Sequence, residues 1–158
     1  MTNWIALLAF AASATATPGS GQSQADILNS GSTNTRGYVL HVGRSGSILV
    51  DAQDGAGFHS ASTSPDLAGR FFEALAAAQP FSDLPLGRCM KSASFGYSVR
   101  IRYAGETTPD LTCAISAEEK ALASLASEIA RDAHVSDFSL RRRPIAPLRT
   151  PFPTPQPS

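Results

Sequence analysis

Between Phe95 and Tyr103 the chain alternates without a break: Phe95, Tyr97, Val99, Ile101 and Tyr103 are apolar or aromatic, and Gly96, Ser98, Arg100 and Arg102 are small or basic. A period of two marks a strand with one face on a core and the other in water. No other stretch constrains the fold as tightly. Ala104-Gly105-Glu106 follows as a turn and Thr107 to Ile115 as the return strand. Pro109 places an edge or a bulge early in that strand, because proline has no N–H to give a ladder. Cys89 precedes the long strand and Cys113 falls late in its partner. An antiparallel return would bring these two cysteines together, and closing such a loop stabilises a fold by roughly 3 kcal/mol.

Two helices are expected to flank this hairpin in sequence. Ser64-Pro65-Asp66 is a helix start, with serine at the N-cap, proline at the first helical position and an acid at the positive end of the dipole. Leu67, Phe71, Leu75 and Ala78 then recur at helical spacing with Phe72 beside them, and Pro80 ends the helix at Gln79. Ser116-Ala117-Glu118-Glu119 is a capping box, followed by Leu122, Leu125, Ala126, Ile129 and Ala133, with His134 expected in the last turn. Upstream, Tyr38 to Val42 and Ser47 to Val50 read as a hairpin across Gly43-Arg44-Ser45-Gly46, and Phe58-His59-Ser60 as a short third strand. The predicted fold is α+β, an antiparallel sheet of four to five strands with two helices packed on one face, in the order ββ(β)-α-ββ-α.

The ends differ from the middle. Trp4 to Ala12 is a short apolar run followed by Ala12-Ser13-Ala14 and Ala14-Thr15-Ala16, the small-residue pattern of signal-peptidase sites. Residues 1–16 are therefore expected to be a signal peptide, leaving no membrane span in the mature chain. Residues 17–35 are rich in Gly, Ser, Thr, Asn and Gln and read as a flexible leader. The domain is placed at 36–140. Residues 141–158 carry four arginines, no acid and six prolines at 144, 147, 151, 153, 155 and 157, a basic Pro-rich disordered tail. The chain's formal charge is zero, so a tail at +4 leaves residues 1–140 at −4. That mildly acidic body supplies no electrostatic footprint for nucleic acid.

An export signal with two cysteines makes a Cys89–Cys113 disulfide the expectation, and a periplasmic or secreted location with it. Motifs for nucleotides, dinucleotides, zinc hydrolysis and the nucleophile elbow are absent. His41, His59 and His134 are scattered, and Asp51 to Gly57 lacks ligand oxygens at the register of a calcium loop, so no metal or cofactor is expected. His41 should face solvent from its strand.

The stretch Cys89-Met90-Lys91-Ser92-Ala93-Ser94-Phe95-Gly96, with Ser64-Pro65-Asp66 before the first helix and Cys113 after the hairpin, resembles a group of small exported bacterial proteins of unknown function. The resemblance spans about residues 30–134. It implies a bacterial, exported setting and no mechanism.

The expected function is a non-catalytic interaction module, with Lys91, Arg100 and Arg102 as partner-binding residues. Two arginines spaced on one strand face can engage carboxylates or phosphates in parallel. The partner would be an envelope protein or an acidic surface component. The alternative is a small serine-dependent hydrolase using Ser92 or Ser94, for instance as Ser94–His59–Asp54.

Overall fold

The computed structural model describes residues 23–52, 57–92, 94 and 96–135. The expected signal peptide, residues 17–22 of the expected leader, and everything from residue 136, the Pro-rich tail included, lie outside the described residues, as do Asp54 and Phe95.

The elements run β1 (Gln24–Asn29), β2 (Tyr38–Gly43), β3 (Ser47–Ala52), β4 (Phe58–Ser62), α1 (Pro65–Ala77), β5 (Val99–Tyr103), β6 (Glu106–Thr107) and α2 (Ala117–Asp132). All six strands join one antiparallel sheet in the order β4-β3-β2-β1-β5-β6. The fold is α+β, with one more strand than the sequence suggests.

That strand is β1, and it corrects the expected leader. Residues 24–29 are an interior strand, fourth from the β4 edge and third from the β6 edge, paired to β2 through Ile27 and Leu40 and to β5 through Ile27 and Ile101. The domain thus begins by residue 24, not at 36. Ala25 and Ile27 are buried in the core while Gln24, Asp26 and Leu28 turn to the other face. A strand with neighbours on both sides finds ladder partners for the backbone groups that an edge strand leaves to water, which offsets a polar composition.

β2 and β3 form the expected hairpin. Gly46, at φ +86°, donates its N–H to the Gly43 carbonyl at 3.0 Å, a left-handed position that glycine fills without strain. β5 is shorter than its alternation, starting at Val99. The backbone before it is already engaged: the Ser98 N–H donates to Ser30 Oγ at 2.9 Å, and the Tyr97 carbonyl accepts from Lys91 Nζ at 2.6 Å. Tyr97 is 45% exposed and does not join Tyr103 under the helices.

The return strand is shorter still. After Thr107, Thr108 continues the pairing through both its N–H to the Ile101 carbonyl and its Oγ1 from the Ile101 N–H, each 2.9 Å. Pro109 then ends the ladder, and Asp110 caps a single 3-10 turn over Leu111–Cys113 by accepting from the Thr112 N–H at 3.1 Å. The cysteines still meet: Cys89 and Cys113 form a disulfide with Cα atoms 5.4 Å apart. Cys113 reaches it from a turn rather than from a strand.

Both helices lie on the face that carries Ile27, Leu40, Val42, Val50, Ile101 and Tyr103. Ser64 Oγ accepts the Leu67 N–H at 3.1 Å, and Phe71, Phe72 and Leu75 are fully buried. The Phe72 ring meets Phe71 and Tyr103 edge-on, with centroids 5.7 and 5.8 Å away. In α2 the capping box is complete, Ser116 Oγ accepting from Glu119 N–H at 3.1 Å and Glu119 Oε2 accepting from the N–H groups of Ile115 and Ser116. His134 stands just past the helix end at φ +54° and not in its last turn. No helix among the described residues is long and apolar enough to cross a membrane.

Candidate functional site

With both helices on one side, the opposite face of the sheet is open. Register places its side chains in cross-strand rows. One row runs Phe58, Asp51, Val39, Leu28 and Arg100 over five strands. The four spacings span about 19 Å. The next row runs Ser60, Leu49, His41, Asp26, Arg102 and Thr107.

Arg100 and Arg102 lie where the alternation predicts, both exposed on this face. They are not equivalent. Arg102 Nε and Nη2 both donate to Asp26 Oδ2, at 3.0 and 2.8 Å. His41 Nδ1 sits 2.8 Å from the other oxygen, Oδ1, and Gln24 Nε2 donates to that same oxygen at 3.3 Å. Burial opposes the charge on Asp26, but the hydrogen bonds from His41, Arg102 and Gln24 outweigh it and hold the carboxyl below the usual carboxylate range. Arg102 is thus engaged within the domain, and two arginines are not jointly presented to one anion. The Arg100 side chain has no hydrogen-bond or ion-pair partner among the described residues.

The open face also exposes large apolar groups. Phe58 is 64% and Leu49 40% accessible, with Val39 and Leu28 half-buried between them and Arg100. These residues were not singled out in the sequence, because Leu49 reads there as one of several apolar strand residues. Which of two neighbouring apolar residues faces the helices is settled by register alone.

Lys91 does not join the arginines. Its ammonium pairs with Asp110 Oδ2 and donates to the Tyr97 carbonyl, within the disulfide-bonded loop. Burial again opposes the charge on Asp110, and Lys91, the Thr112 hydroxyl and the N–H groups of Thr112 and Val99 hold it below its ordinary value.

Of the hydrolase constellation Asp54 lies outside the described residues, and His59 and Ser94 sit on different parts of the fold. His59 pairs with Val50 and so shares the helix-side face on outer strand β4, whereas the Ser94 carbonyl accepts from Asn34 in the β1–β2 connection. The oriented histidine is His41, whose Asp26 partner resembles the base–carboxylate half of a nucleophilic triad. No hydroxyl is hydrogen-bonded to its Nε2 among the described residues.

On the helix side a groove of about 620 Å³ opens beside α2, where Ala123, Ala126 and Ala130 leave room against Tyr38, Tyr97 and Val99. Among the described residues no cluster of histidine, cysteine and acidic side chains is placed to hold a metal ion. No family model, curated protein or solved structure matches the chain.

Proposed function

We propose that the chain is an exported, non-catalytic interaction domain that docks a protein partner on the open face of its sheet, in the periplasm or outside the cell. The observation that carries this reading is the row from exposed Phe58 to unpartnered Arg100, with Leu49 beside it. Large apolar side chains on a sheet face cost solubility unless something covers them. An aromatic anchor and an arginine at the two ends of one patch are the residue types that dominate binding energy at interfaces. The fitting partner offers apolar side chains opposite Phe58 and Leu49 and a carboxylate opposite Arg100. The Cys89–Cys113 disulfide supports an oxidising compartment.

Affinity capture from an envelope extract of the source organism tests this. A protein held by the wild-type chain is expected to be lost with Phe58→Glu plus Arg100→Glu and kept with Met90→Asp. An identical capture set for wild type and the Phe58/Arg100 variant would overturn the proposal.

A further inference from the structure

The segment from Gly87 to Lys91 is fastened to the body at every second residue. Gly87 packs so closely on the Cys113 carbonyl that a β-carbon there would lie 1.9 Å from its oxygen. Cys89 is bonded to Cys113, and Lys91 is held by Asp110 and the Tyr97 carbonyl. Immediately afterwards the chain turns, the Gly96 N–H donating to the Ser92 carbonyl at 2.7 Å. Residues 88 to 92 all lie in the exposed class, and the Met90 side chain is fully exposed between the two anchors at Cys89 and Lys91. No regular structure covers residues 85–92.

This is a segment without regular structure in which Gly87, Cys89 and Lys91 are tied to the body and Met90 is presented between them, as a substrate peptide is presented to an endopeptidase. Fixing a peptide in its bound shape removes much of the entropic cost of association. An unbranched thioether held out by a disulfide on one side and an ion pair on the other suits a deep apolar pocket. Lys91 itself cannot be the presented side chain, because its ammonium is already bound.

We propose that this loop is a substrate-like inhibitory loop for a serine endopeptidase with an apolar specificity pocket, in which Met90 fills the pocket and the Met90–Lys91 bond lies across the enzyme's nucleophile. The chemistry of hydrolysis also explains why such a loop survives. The serine oxygen adds to the Met90 carbonyl carbon, the Met90–Lys91 C–N bond breaks, and the serine proton passes through the enzyme's histidine to the Lys91 amine. That amine cannot leave, because Asp110 caps the very turn that carries Cys113, so both new ends stay tied to one short segment. The tethered amine re-attacks the ester, the peptide bond re-forms and the proton returns to the serine, at the high effective concentration of an intramolecular reaction. This surface is distinct from the open sheet face and shares with the preceding proposal only the view of the chain as an interaction domain.

The test is inhibition of subtilisin and chymotrypsin by the full oxidised chain, with trypsin as the comparison. Sub-micromolar inhibition of an apolar-preferring enzyme is expected, weakened by about 30-fold or more in Met90→Asp, the size of an interface hot spot. Met90→Lys is expected to move inhibition to trypsin. Phe58→Glu with Arg100→Glu is expected to inhibit as the wild type does, which separates failure here from failure of the open-face reading. Absence of inhibition by wild type on both apolar-preferring enzymes and by Met90→Lys on trypsin would overturn the proposal, as would steady cleavage after Met90 without inhibition.

Discussion

Asp26 organises the polar part of the sheet's open side. It accepts from Arg102 on β5 and from His41 on β2, and so ties three strands across their solvent face. Asp110 does the same work for the disulfide loop, taking Lys91, Thr112 and the Val99 N–H. Both carboxyls are held below their ordinary values in the folded chain. The stabilisation from each is therefore fully present above the unfolded carboxylate range near pH 4 and is lost as pH falls through the lower folded value. Urea unfolding between about pH 6 and pH 2 is expected to show stability falling below about pH 4. Asp26→Asn should lower stability at pH 6 by on the order of 1 kcal/mol and flatten the acid decline. A variant with the wild-type slope would show that Asp26 contributes nothing to it. Asp26 is also the residue of the open face hardest to find in the sequence. It lies in a polar segment, and its only signal is its place between Ala25 and Ile27, an alternation too short to stand out from its surroundings.

Among the elements, those governed by local chemistry were legible and those governed by pairing were not. Both helices were read from their caps: Ser64 with Pro65, and the Ser116–Glu119 box, each act within one turn of chain. The sequence pattern overstates the lengths of β5 and β6. The alternation from Phe95 is real, but Ser30, Lys91 and Asp110 take the backbone groups or space that a longer ladder would need. No local pattern encodes that competition. The disulfide is the strongest constraint on this region, linking residues 24 apart in sequence. Replacing both cysteines with serine is expected to cost about 3 kcal/mol of folding stability, read from chemical denaturation. The same variant should lose protease inhibition if the loop is inhibitory, since the covalent anchor next to Met90 would be gone. A stability loss below 1 kcal/mol would indicate that the Lys91–Asp110 pair and the Gly87 contact hold the loop unaided.

At the scale of the whole molecule, β1 decides the architecture. Without it β2 and β5 would not be joined, since the sheet order is β4-β3-β2-β1-β5-β6. A chain beginning at Arg36 is thus expected to lose cooperative unfolding and near-native circular dichroism, whereas one beginning at residue 23 should keep both. Equal stability of the two would contradict the place given to β1. By itself the sequence determined the α+β class, both helix starts, the β2–β3 hairpin and the cysteine pairing. Each of those rests on a period, a cap or a count, features set within a few residues of one another. Only the tertiary structure decided that residues 24–29 are a central strand, that Arg102 belongs to Asp26 while Arg100 stays exposed, and that Met90 is thrust outward. Those outcomes depend on contacts between segments up to 76 residues apart, such as Asp26 with Arg102, and their energy arises only when the segments meet.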